Sequence, residues 1–196
     1  VSGFQAAVAA WAAGGPEPTP DTASGVRVVV LLEGPSDVEA VAALADKRGR
    51  DLAAEGVCVL AMGGAMAVGR HTRLLGPPGL GLRLTGLCDA NERGYYARAF
   101  EQAGLPPGFH VCQADLEDEL IRVLGVPRVE ELVAEQGELG RFRALQQQPA
   151  QRDRPAAHQL RRFLGSKKGR KIRYGRVLVE ALDQVPEPLE ALLRDC

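Results

Sequence analysis

The stretch Val26-Arg27-Val28-Val29-Val30-Leu31-Leu32-Glu33-Gly34-Pro35-Ser36-Asp37 decides the fold class. Its first seven residues form a β-branched apolar run without the polar alternation of a half-exposed strand, so they read as a strand buried on both faces. Gly34-Pro35 then breaks the run. A helix over 36–47 follows, with Ser36 placed to cap the free amides and Glu39 placed to reach back to the Ser36 amide.

The same grammar recurs downstream. Val57 to Met62 reads as a second strand, Leu82 to Cys88 as a third and Phe109 to Cys112 as a short fourth. Helices are expected after Gly63-Gly64-Ala65 and from Asn91 or Glu92 to Ala103, where Gly104 ends the pattern. Strands alternating with helices predict an α/β protein with a Rossmann-like core, a mainly parallel sheet of about four strands and right-handed crossovers. Upstream, an Ala-rich helix near Phe4 to Ala13 leads into Gly14-Gly15-Pro16-Glu17-Pro18-Thr19-Pro20, a linker that no helix can cross. Beyond Asp115 the pattern is helical to the end. The expected organisation is an N-terminal helix and linker over 1–24, an α/β core over 25–125 and a C-terminal basic helical region over 126–196.

Composition excludes several classes. Of 196 residues, 45% are apolar and 25% charged, as in soluble globular proteins. No uncharged apolar run reaches the ~18 to 20 residues of a membrane span. The four cysteines, Cys58, Cys88, Cys112 and Cys196, form no CxxC pair, which argues against a zinc site and for a reduced, cytoplasmic protein. The net charge of −1 conceals a segregation: Arg141 to Arg176 holds twelve Lys/Arg against one acid, Asp153. Such a segment suits a polyanion, or else forms a solvated face paired with acids elsewhere in the chain.

Acids gather where ligands of parallel sheets bind, outside the carboxyl ends of the strands. Glu33 follows the first strand, Asp89 the third, and Asp115 with Glu117 the fourth, while Asp37 opens the helix after the first strand. Like charges at one edge call for a cation, and oxygen donors without nearby His or Cys suit Mg²⁺ or Mn²⁺. Two such ions are able to activate water and stabilise a leaving oxygen in phosphodiester cleavage. Gly63-Gly64 with Gly69 is either an anion-binding turn or a tight strand-to-helix turn, and it lacks a Walker lysine. His71, His110 and His158 are scattered and receive no ligand role.

Leu31-Leu32-Glu33-Gly34-Pro35-Ser36-Asp37, Gly63-Gly64-Ala65 and Leu87-Cys88-Asp89-Ala90-Asn91-Glu92, in that order, resemble the TOPRIM domain of topoisomerases, primases and OLD-family nucleases. The OLD-like branch fits best, in particular small stand-alone TOPRIM proteins of actinobacteria. These also share a stretch like Ala114-Asp115-Leu116-Glu117-Asp118-Glu119-Leu120 and one like Gly169-Arg170-Lys171-Ile172-Arg173-Tyr174. The resemblance implies metal ligation by Glu33, Asp37, Asp89, Asp115 and Glu117. It also implies charge stabilisation at the scissile phosphate by Lys171. The second Asp of the family's DxD motif is absent: Asn91 stands there, with Glu92 beside it as a substitute. OLD proteins carry an ATPase domain ahead of the TOPRIM part, so ATP control here is expected to need a separate chain.

The sequence reading is therefore a metal-dependent nuclease acting on DNA or RNA. Its catalytic residues are Glu33, Asp89 and Lys171, with Asn91 and Glu92 completing the metal set. Arg161, Arg162, Lys167, Lys168, Arg170 and Arg173 are expected to track the phosphate backbone. The competing readings are a non-catalytic nucleic-acid-binding module and a primase-like nucleotidyl transferase.

Overall fold

A computed structural model describes residues 1–196, the side chain of Lys168 excepted. Helix α1 (Ser2–Ala12) precedes β1 (Val28–Leu32), α2 (Pro35–Lys47), β2 (Val57–Ala61), α3 (Val68–Leu75), β3 (Arg83–Cys88), α4 (Arg93–Gln102) and β4 (Phe109–Val111). Six helices complete the chain: α5 (Leu116–Leu124), α6 (Val126–Glu135), α7 (Leu139–Gln146), α8 (Ala156–Gly165), α9 (Lys168–Glu180) and α10 (Glu187–Asp195). None of the described helices is long and apolar enough to cross a membrane.

The four strands form one parallel sheet in the order β2-β1-β3-β4, with Val29 opposite both Cys58 and Leu84, and Gly86 opposite Phe109. All five residues of β1 are buried, as expected of a central strand covered on both faces. Its alternate side chains enter two cores. Val28, Val30 and Leu32 join the core shared with α2, α5 and the later helices, while Val29 and Leu31 join the one beneath α1, α3 and α4. The first core runs through residues on both sides of 125, from Val30 and Leu44 to Leu178 and Leu192, so the C-terminal helices are one wall of the sheet's own core.

Because chain order reverses between β1 and β3, a crevice opens at their carboxyl ends, the switch point where ligands of open α/β sheets bind. Two close approaches fix its walls. Tyr96 is fully buried and its hydroxyl lies 3.2 Å from the carbonyl oxygens of both Leu31 and Leu87, holding the two strand ends together. A Cβ on Gly175 of α9 would lie 2.6 Å from the Ser36 carbonyl oxygen, so only glycine lets α9 pass this close to the start of α2.

Helix α2 begins differently from the sequence expectation. Gly34 is the N-cap, Pro35 takes the first helical position, and the Asp37 carboxylate accepts a 3.0 Å hydrogen bond from the Gly34 amide. Proline at N1 needs no hydrogen-bond partner, and this shifts the N-cap two residues upstream of Ser36, which is buried instead. The Gly63-Gly64 turn is also settled. Both amides donate to the Glu33 carbonyl, at 3.0 and 3.1 Å, so they tie the strand end and are spent for anion binding.

Candidate active site

Glu33 leaves the end of β1, Asp89 the end of β3, and Glu92 the short 3-10 turn Ala90–Glu92 that follows. One oxygen from each lies within 4.8 Å of the others. Burial raises the Asp89 and Glu92 carboxyls to about 7, reinforced for Asp89 by Asp115, Glu92 and Glu33 and for Glu92 by Glu33. Glu92 Oε2 is buried without any hydrogen-bond partner. Asn91 is exposed.

Asp37 adjoins this triad. Burial raises its pKa, against the Gly34 amide and Lys171 and together with Glu33 and Asp115. Asp37, Glu33 and Asp89 line one small cavity with Leu87, Cys88, Cys112 and Leu116.

On the other side of the edge, Asp115 caps α5. Its Oδ1 accepts from the Asp118 amide at 2.8 Å, and its Oδ2 accepts from Arg161 Nε at 2.6 Å. Glu117 is 8% exposed and pairs at 3.3 Å with Lys171 Nζ, reached from α9 across the close approach at Gly175. A cavity of about 370 Å³ opens beside these pairs, lined by Asp115, Glu117, His158, Arg161, Arg162, Gly165 and Lys171. A second, of about 260 Å³, runs from Lys171 along Glu33, Asp37 and the Gly63-Gly64 turn. Lys171 therefore borders both.

Residues 26–90 match the family model described as Overcoming lysogenization defect protein-like, TOPRIM domain. This segment is an OLD-like TOPRIM domain. Among solved structures, the chain is similar to the C-terminal region of the Burkholderia pseudomallei OLD protein, with a TM-score of 0.67 and 18% identity over 87% of this chain and 96% of that one. It is also similar to the C-terminal region of the Xanthomonas campestris pv. campestris OLD protein, with a TM-score of 0.64 and 22% identity over 87% of this chain and 91% of that one. At these identities the likeness establishes the fold. No curated protein matches the chain.

The TOPRIM domain supplies Glu33, Asp37 and Asp89, and Glu92 follows directly after it. Asp115, Glu117, Arg161 and Lys171 reach the same edge from α5, α8 and α9.

The basic segment is arranged otherwise than its charge sum suggests. Arg170 is 8% exposed, stacks on Phe163 and bonds Glu138, the Phe163 carbonyl and Ser166 Oγ, so it is closed to a phosphate. Arg173 and Arg141 also pair with Glu138, Arg143 with Glu130, and Arg176 with Glu39, Asp46 and Glu180. Much of the segment is thus paired with acids of the same chain. Arg162 and Lys167 are exposed and make no ion pair among the described residues, whereas the Lys168 side chain lies outside them.

His158 is the residue that sequence reasoning passed over. It stands three and four positions before Arg161 and Arg162 on α8, a spacing that puts all three on one helix face, and it lines the 370 Å³ cavity with them.

Proposed function

We propose that this chain is a metal-dependent nuclease that hydrolyses phosphodiester bonds in DNA. The observation that carries the reading is the placement of the Glu33, Asp89 and Glu92 oxygens, within 4.8 Å of one another, with Lys171 bordering both the cavity along Glu33 and the one lined by Arg161 and Arg162. The donor set fits a hard divalent cation such as Mg²⁺ or Mn²⁺, being three carboxylates of which one oxygen is buried and unpartnered. Bound there, the ion supplies Lewis-acid activation of a phosphate oxygen and of water.

The chain's own residues do the rest. Glu33, Asp89 and Glu92 would hold the ion, and Asp37 is fixed next to Glu33 and Asp89 by the Gly34 amide. Lys171 keeps a positive charge between the two cavities, since Glu117 and Asp37 outweigh the burial that would lower its pKa. There it faces the negative charge that develops on a phosphoryl group in the transition state. Arg162 and Lys167 meet the flanking phosphates, where each neutralised charge strengthens binding without reading sequence.

A non-catalytic nucleic-acid module is the reading that Asn91 favours, because a neutral residue stands in the DxD position. The Glu92 carboxylate, already grouped with Glu33 and Asp89, restores the missing charge and supports the enzyme. Incubating supercoiled plasmid with Mn²⁺ separates the two: nicking lost in Asp89→Asn supports the nuclease, and binding without nicking supports the module.

A further inference from the structure

The acidic edge divides into two halves that differ in what faces them. Among the described residues, Glu33, Asp89 and Glu92 make no ion pair, and Glu92 Oε2 is buried with no partner. Asp115 and Glu117 each have a fixed cation of their own, Arg161 at 2.6 Å and Lys171 at 3.3 Å. Asp115 is engaged at both oxygens, one by the α5 cap and one by Arg161. A second divalent ion beside Asp115 and Glu117 would meet these positive charges at contact distance and compete with both for the same oxygens.

We propose that the chain binds one divalent ion, on Glu33, Asp89 and Glu92, and that Arg161 takes the place of a second, presenting its guanidinium to the substrate phosphate from the Asp115 side. The inference rests on the nuclease reading and adds to it the number of ions and the identity of the fixed cation. Arg161 spends its Nε on Asp115, and its terminal nitrogens make no hydrogen bond among the described residues. They belong to the side chain that lines the 370 Å³ cavity with Arg162 and His158. A planar guanidinium held at one edge offers its remaining donors as a fork, the geometry that fits two phosphate oxygens. Arg161 thus orients and neutralises the phosphate with a charge that needs no recruitment from solution.

The test counts ions. The full chain, stripped with EDTA, is titrated with Mn²⁺ by calorimetry while free Mn²⁺ is followed by its paramagnetic resonance signal. One Mn²⁺ per chain is expected. Glu92→Gln should weaken it by on the order of a hundredfold, whereas Asp115→Asn, which keeps a good helix cap, should leave the count at one and the affinity within about threefold. Arg161→Gln, which frees Asp115, should admit a second, weaker Mn²⁺. Two Mn²⁺ on the wild type, one of them lost in Asp115→Asn, would overturn the inference and leave the nuclease reading standing. A count that stays at one in Arg161→Gln would overturn the assignment of Arg161. No Mn²⁺ on the wild type would overturn the nuclease reading itself, and the inference with it.

Discussion

Lys171 Nζ lies 3.3 Å from Glu117 Oε1, joining the first turn of α9 to the first turn of α5 across the acidic edge. The contact exists because Gly175, one turn later on α9, lets that helix press against the start of α2. Burial lifts the Glu117 carboxyl to about 7, with Lys171 pulling it down and Asp115 and Asp37 pushing it up. Glu117 and Asp37 in turn raise the Lys171 pKa against the burial that lowers it, so the ammonium stays charged at neutral pH.

Removing that ammonium should act on the chemical step. Lys171→Ala is expected to lower single-turnover cleavage by about a hundredfold or more, as loss of one preorganised charge-stabilising group does. Its DNA affinity, read by filter binding, should change little. A large loss of affinity with an unchanged rate would make Lys171 a backbone contact instead.

Metal-free stability should fall as pH rises. The folded-state pKa values of Asp89, Glu92 and Glu117 stand at about 7, above their ordinary values of 3.8 and 4.5. Between those limits the folded state binds more protons than the unfolded one, so unfolding becomes easier with each step up in pH. The melting temperature of EDTA-treated protein should be higher at pH 5 than at pH 8, and Mn²⁺ should restore it at pH 8. Asp89→Asn should flatten the profile, and a profile rising from pH 5 to 8 would show that these carboxylates do not govern it.

Glu92 and Asn91 should separate cleanly. Asn91 is exposed, whereas the Glu92 carboxylate belongs to the triad. Glu92→Gln should abolish nicking and Asn91→Ala should leave it within about threefold, in line with a surface substitution. Asn91→Asp should tighten Mn²⁺ binding by adding charge near the site. If Asn91→Ala abolishes nicking while Glu92→Gln does not, the ligand is displaced by one residue.

The fold was legible because its strands are continuous apolar runs, a signal that survives without tertiary information. The runs read at 26–32, 57–62, 82–88 and 109–112 became β1 to β4 with only their ends trimmed. The strand-end acids were legible for the same reason, since a carboxylate after a buried strand has few other places to be. What sequence could not supply was pairing over long separations. Glu138 sits just outside the basic segment yet collects Arg170 and Arg173, 32 and 35 positions on, and Arg176 finds Glu39 across 137 positions. The start of α2 was misread because the Ser36 and Glu39 pattern was plausible locally, while Pro35 already fitted the first helical position.

Glu138 should carry a structural role. It is 5% exposed, and its carboxyl is held down to about 2 by Arg170, with Arg173 and Arg141 adding to the effect. Glu138→Ala strands Arg170 in the interior and should cost about 3 to 5 kcal/mol, the usual result of breaking a buried pair on one side. Urea denaturation measures it, and a loss below about 1 kcal/mol would show that Arg170 finds water.

Salt dependence should be weaker than the charge sum implies, because so many cations are paired internally. Arg152, Arg154, Arg162 and Lys167 are the arginines and lysines of the segment without an ion pair among its described side chains. At about −0.9 per neutralised phosphate, these four together with Arg161 put the slope of log K against log salt for duplex DNA between roughly −3 and −5. A slope near zero would mean that the segment is a solvated face alone.

The most direct test is plasmid cleavage by the purified chain. Supercoiled DNA incubated with Mn²⁺ should be converted to nicked circles, conversion should stop on adding EDTA, and Glu33→Gln and Asp89→Asn should each abolish it while circular dichroism shows an unchanged fold. Cleavage by either variant at the wild-type rate, or cleavage that continues in EDTA, would contradict a metal centre at the ends of β1 and β3.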